Sequence, residues 1–199
     1  RRGRHARFAS PVTSLSAHTP GAARARVGRD GGMACILGTG ANACHCRGGE
    51  VLNYVSALGY ILGDEGSGAV LGRNLVNGIF KEHIPLREEF LATTGLTYEE
   101  IVRRVYNEPF ANRFLASFAP FILSHIDTPE VREMVNRSFG DFAERNLSRY
   151  PKGLPVSFVG GIAAHFEAPL REALRKAGYE VQDIIESPAE GLLKYHHGK

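Results

Sequence analysis

The chain has 199 residues, 43% hydrophobic and 23% charged, enough for one sizeable core in a globular domain. Its net charge of +3 is unevenly placed: Arg1, Arg2, Arg4, Arg7, Arg24, Arg26 and Arg29 against Asp30 make residues 1–31 strongly basic and leave residues 32–199 mildly acidic. That balance argues against a nucleic-acid partner, which needs basic groups gathered on a folded surface, and no apolar run reaches the ~18 residues of a membrane-spanning helix.

Three cysteines (Cys35, Cys44, Cys46) cannot all pair within the chain, so a reducing, cytoplasmic compartment is expected. Residues 1–31 carry only Phe8, Val12, Leu15 and Val27 as sizeable apolar groups, at neither helical nor strand spacing. A basic, poorly ordered leader is expected there. A transit peptide, a basic tail for nucleic acid and the remnant of a truncated or frame-shifted sequence are its competing readings.

From Met33 the pattern changes. Met33 to Leu37 reads as a buried strand ended by Gly38-Thr39-Gly40, Ala43 to Cys46 as its return, and Val51 to Val55 as a third strand after the Arg47–Glu50 hairpin turn. Gly63-Asp64-Glu65-Gly66-Ser67-Gly68 then leads into Ala69-Val70-Leu71, Leu75-Val76 and Ile79-Phe80, apolar positions at helical spacing. The middle, 84–150, reads as a helical insert. Thr97 and Glu100 predict a capping box, Pro109 a first helical turn, and Pro120 a division of the helix that carries Phe110, Phe114, Leu115, Phe118 and Phe121 on its apolar side. Thr128-Pro129-Glu130 opens a helix running towards Tyr150.

A strand over Val156–Val159 ends at Gly160-Gly161. A helix through Leu170 and Leu174 stops at Gly178, a strand runs from Tyr179 to Ile185, and Ser187-Pro188-Ala189-Glu190 predicts the cap of a final helix. The order βββα, helical insert, βαβα predicts a mixed α/β sheet with helices on both faces.

Three glycine-rich places can carry chemistry. Gly38-Thr39-Gly40-Ala41-Asn42 sits where a strand turns back, and its N–H groups and the Thr39 hydroxyl suit an anion. A hairpin uses Gly-x-Gly for purely structural reasons too, and the Walker pattern is absent, so this is no P-loop. Asp64 and Glu65 precede a helix, where dipole capping explains part of their presence; the surrounding glycines also clear space for a ligand. Gly160-Gly161 leaves a strand end bare, at the edge where open α/β sheets bind ligands. Cys44-His45-Cys46 has too short a spacing for the usual C-x2-4-C zinc chelate, and no second pair exists, which favours buried structural cysteines over a metal site.

Taken together, Ile36–Asn42, Leu58-Gly59-Tyr60-Ile61-Leu62-Gly63-Asp64-Glu65-Gly66-Ser67-Gly68 and Val159-Gly160-Gly161-Ile162-Ala163 resemble the N-acetylglucosamine-kinase-like, BadF/BadG/BcrA/BcrD branch of the actin-like ATPases, over roughly residues 32–197. The resemblance implies the C-terminal lobe of an actin-like (ribonuclease H-like) ATPase domain that uses ATP and Mg2+ to phosphorylate an amino sugar, N-acetylglucosamine or glucosamine. It assigns Gly38, Thr39, Gly40 and Asn42 to a phosphate loop and Gly160, Gly161 and Ile162 to the adenosine motif. It places Leu58, Gly59, Asp64 and Glu65 at the sugar, and it allows a homodimer. Gly21-Ala22-Ala23-Arg24-Ala25 matches a family helix, but His18 stands where relatives carry a catalytic aspartate, and their N-terminal lobe with its Asp-x-Gly-x-Thr loop has no counterpart here. No catalytic residue is therefore assigned, and an N-terminally incomplete, inactive form is expected. The rival readings are an activator-type ATPase working through an iron–sulfur cluster and a non-catalytic nucleotide-binding or interaction module.

Overall fold

The computed structural model describes residues 31–48 and 50–187. The leader over 1–30, with His18 and the Gly21–Ala25 match, and the helix expected to follow Pro188 lie outside the described residues. The chain opens with three strands, β1 (Gly32–Leu37), β2 (Ala41–Arg47) and β3 (Glu50–Tyr54), and then the short helix α1 (Gly59–Leu62) and the longer α2 (Gly68–Phe80). The middle supplies α3 (Arg87–Thr94), α4 (Tyr98–Tyr106), α5 (Ala111–Ala116), α6 (Ala119–Ser124) and α7 (Pro129–Arg145). After β4 (Val156–Val159) come α8 (Gly161–His165), α9 (Glu167–Lys176) and β5 (Val181–Ile185). The sheet order is β3-β2-β1-β4-β5. The first three strands pair antiparallel, whereas β4 and β5 join β1 in parallel. This is the expected mixed α/β sheet, with helices packed around it.

Strand alternation sorts the side chains by face. Met33, Cys35 and Leu37 of β1 and Val156 and Phe158 of β4 join one large buried cluster with Leu71, Leu75 and Ile79 of α2 and Val131, Val135, Phe139 and Phe142 of α7. The other face carries two smaller clusters, Ala34 with Cys44 and Cys46, and Val159 with Ile185. Aromatic packing holds the middle helices together. The Phe90 ring meets Phe118 at 5.0 Å and Phe121 at 5.2 Å, both edge-on, the arrangement that ring quadrupoles favour.

Several local expectations are met in detail. The Thr97 hydroxyl accepts the Glu100 N–H at 3.2 Å while the Glu100 carboxylate accepts the Thr97 N–H at 2.9 Å, a complete capping box. Pro120 falls in the first turn of α6 and separates it from α5, and Gly178 past the end of α9 has φ +83°. Others need correction. Pro109 does not start a helix, because Phe110 after it is left-handed, at φ +62°, and α5 begins at Ala111. The helix from Pro129 stops at Arg145, and a 3-10 turn over Leu147–Arg149 carries the chain on to Tyr150. The third strand ends at Tyr54, one residue short of Val55, and the last begins at Val181 rather than Tyr179.

Candidate functional site

The parallel pairing of β1 with β4 brings Ile36 beside Val159, so both strands end at the same edge of the sheet. The turn after β1 and the Gly160-Gly161 turn after β4 are therefore neighbours. They touch: a Cβ built on Gly160 would collide with the Leu37 carbonyl and lie 3.3 Å from the Gly38 nitrogen. Gly160 also has φ +130°, a conformation that side-chain-bearing residues rarely adopt.

Helix α2 is pinned to the same turn. The Gly68 N–H donates to the Gly38 carbonyl at 2.8 Å and the Ala69 N–H to that of Thr39 at 3.2 Å. Ser67 caps the helix, its hydroxyl accepting the Val70 N–H at 3.2 Å. Asp64 and Glu65 stand outside the first turn, which contains no acidic residue, so capping does not account for them.

The two carboxylates take different directions. Asp64 sits at φ +55°, a left-handed conformation that Asp tolerates better than most residues. Its Oδ2 lies 3.1 Å from where a Cβ on Gly40 would be. Burial raises its pKa above the ordinary carboxylate value; the Ala41 N–H, which it accepts, pulls the other way, and neighbouring Glu65 adds to the rise. Glu65 instead meets helix α7, with Arg145 at 3.3 Å and the Asn146 amide at 3.3 Å. The N–H of Gly66, the next residue, donates to the buried Ser138 hydroxyl at 3.2 Å. The 64–66 turn is thus anchored on α7 by Glu65 and Gly66 and presents Asp64 to the glycine turn.

The loop before it closes back on the same place. The Gly63 N–H donates to the Gly59 carbonyl at 2.8 Å, and a Cβ on Gly63 would lie 3.1 Å from Leu58 Cβ. Leu58 remains largely exposed beside the turn, and Gly59 has φ +74°.

Among the residues singled out from the sequence, Gly38, Thr39, Gly40, Asp64 and Gly160 gather at one corner, with Leu58 and Gly59 against its Gly63 side. Thr39 is exposed there. Asn42 lies in β2, opposite Ile36, and its side chain accepts the Ala43 N–H at 2.8 Å. Ile162 is buried, and its Cδ1 lies 3.2 Å from a Cβ built on Gly68, so it packs the helix start. Gly161 is open: a Cβ there meets only His165, at 3.8 Å.

Sequence reasoning missed Ser138, Arg145 and Asn146, which lie about eighty residues from the turn they hold. It also missed Ser67, whose place just before an apolar helical run was a readable cap signal.

Among solved structures, those of "putative N-acetylglucosamine kinases" from Porphyromonas gingivalis and Chromobacterium violaceum are similar. The first shares 49% identity at a TM-score of 0.87, over 90% of this chain and 64% of its own. The second shares 23% at 0.67, over 89% of this chain and 63% of its own, a likeness of fold. This chain thus spans a little under two thirds of each. Neither a protein-family model nor a curated protein matches it. The fold is the actin-like ATPase fold of the sugar kinases. Within that class the chain is most usefully compared with the N-acetylglucosamine-kinase-like proteins, which it resembles at 49% identity over 90% of its own length.

Proposed function

We propose that this chain carries one side of the nucleotide and sugar site of an ATP-dependent amino-sugar kinase of the BadF/BadG/BcrA/BcrD type. The observation that carries the reading is the meeting of the Gly38–Gly40 turn, Asp64 and Gly160 at one edge of the sheet, in a chain 49% identical to a kinase-like relative. Open α/β sheets bind ligands at this edge.

ATP fits the residues present. A Cβ on Gly38 would meet nothing within 4 Å and Gly161 is nearly as bare, so a phosphate and a flat base can approach the backbone. When bound, the nucleotide supplies the phosphoryl group, with Mg2+ neutralising the phosphate charge. Gly38, Thr39 and Gly40 would hold phosphate through backbone N–H groups and the Thr39 hydroxyl, and Gly160-Gly161 would face the adenosine. Asp64 would accept hydrogen bonds from two sugar hydroxyls. Its partial desolvation strengthens such bonds, and the Ala41 N–H fixes its direction. Leu58 and Gly59 would flank the sugar. Glu65, engaged by Arg145 and Asn146, would act through the turn, holding Asp64 in place.

The general base that kinases use to accept the sugar-hydroxyl proton has no assigned counterpart, since His18 stands at its place in the sequence. Binding without turnover is therefore the proposed behaviour of this chain, in a soluble, cytoplasmic setting. An activator-type ATPase fits less well, because a cluster needs several convergent thiolates and Cys35 lies on the opposite face of the sheet from Cys44 and Cys46.

Calorimetric titration tests this with ATP plus Mg2+, N-acetylglucosamine and glucosamine. The expected result is nucleotide binding that survives Asp64→Ala and amino-sugar binding that does not. A folded chain that binds neither class of ligand, or a sugar affinity untouched by Asp64→Ala, overturns the assignment.

A further inference from the structure

Cys44 and Cys46 have no part in the corner described above. They alternate along β2 on the sheet's second face, both buried, with their sulfurs 3.3 Å apart. The Cys44 thiol also leans on the Ala34 carbonyl at 3.6 Å. Their cross-strand partners on β1 are Ala34 and Gly32, the two smallest residue types, which leaves the sulfur pair without bulky neighbours on that side.

Strand geometry restricts what such a pair can do. Two residues apart in a strand, the Cα atoms are about 6.6 Å from one another and the side chains project in parallel. A disulfide wants Cβ atoms about 3.5–4.5 Å apart, so closing one would bend β2. An ion between the sulfurs needs no such bend: with metal–thiolate bonds of about 2.3 Å on each side, the sulfurs sit up to ~4.6 Å apart, reached by rotating the side chains. Zinc requires four ligands, and among the described residues no three His, Cys, Asp or Glu gather to supply them. Cys35 points into the main core, on the opposite face.

We propose that Cys44 and Cys46 form a two-coordinate thiolate site for one soft monovalent cation, Cu(I). Thiolates select that ion over the harder divalent metals. Each thiol gives up its proton to solvent and its sulfur donates an electron pair to the ion. Two S–Cu bonds form, two protons leave, the copper stays monovalent, and the bound unit carries one negative charge. The site is independent of nucleotide or sugar binding.

The test is an anaerobic competition between the full chain and a chromophoric Cu(I) chelator, with near-ultraviolet sulfur-to-copper absorption as a second readout. The expected result is one equivalent bound by the wild type. Cys44→Ala and Cys46→Ala should each weaken binding about 100-fold or more, whereas Cys35→Ala should retain it, all with unchanged circular dichroism. Should a Cys35→Ala chain not fold, Cys35→Val takes its place. Three results overturn the proposal: competition by the wild type no better than by the Cys44→Ala/Cys46→Ala double variant, binding that depends on Cys35, or an intrachain Cys44–Cys46 disulfide, seen as a loss of two hydrogens in the mass, after mild peroxide treatment.

Discussion

The glycine-lined corner and the aromatic layer of the middle helices are built on opposite principles. At the corner, Gly160 meets Leu37, Gly40 meets Asp64, and Gly68 meets Gly38 and Ile162, so the structure depends on side chains being absent. In the middle helices, Phe90, Phe114, Phe118 and Phe121 form a chain of edge-on contacts, and the structure depends on side chains being large. The two are joined at Gly72 of α2, where an added Cβ would strike the backbone of Leu115 in α5. The lesson is a division of labour. Burial in the aromatic layer stabilises the domain, while the corner, the proposed ligand site, packs backbone against backbone and leaves Gly38 and Gly161 uncovered.

Substitutions should separate these roles. Phe90→Ala removes a fully buried ring and is expected to cost about 3–5 kcal/mol in denaturant unfolding, with ligand affinity of the folded fraction unchanged. A loss of affinity without a loss of stability would break the comparison. Gly160→Ala adds one carbon where the Leu37 carbonyl already sits, at a φ that alanine avoids. Overpacking and backbone strain together predict a loss of about 2–4 kcal/mol, with nucleotide binding impaired as well.

How legible each region was in the sequence follows from the same difference. The aromatic layer was readable in part, because Phe114, Phe118 and Phe121 recur at helical spacing, whereas Phe90 comes from a separate short helix that the sequence reading did not single out. The capping box at Thr97 and Glu100 was readable because its two partners are three residues apart. The corner was readable as three separate glycine clusters whose order matched a known family. Their meeting was not readable from any one of them, since it depends on β1 and β4 pairing in parallel across 120 residues. Phe110 shows the limit of local rules: Pro109 signals a helix start, but the chain spends one left-handed residue there and starts two residues later. Glu65 shows another. Its neighbour Asp64 faces the turn, and only the distant Arg145 and Asn146 explain why Glu65 does not.

Smaller effects sharpen the comparison. Ser67→Ala removes the cap of α2 and should cost about 1 kcal/mol by the same unfolding measurement. Asp64→Asn should stabilise slightly at neutral pH, because the ionised carboxylate is partly desolvated while an asparagine oxygen can still accept the Ala41 N–H. The sign follows from linkage. With its folded pKa raised, Asp64 binds protons more tightly in the folded state, so wild-type stability gains as pH falls towards the carboxylate range. The advantage of Asp64→Asn should therefore shrink on acidification, measurable as melting temperature against pH; an advantage that grows would contradict the assigned burial.

Amide chemical-shift mapping of the folded chain, titrated first with ATP plus Mg2+ and then with N-acetylglucosamine, tests the division most directly. The account predicts nucleotide shifts at Gly38, Thr39, Gly40, Gly160 and Gly161, and sugar shifts at Gly59, Asp64 and Ala41. The amides of Phe90, Phe118 and Phe121 should stay still. Shifts centred on those phenylalanines, with the glycine turns unmoved, would contradict it.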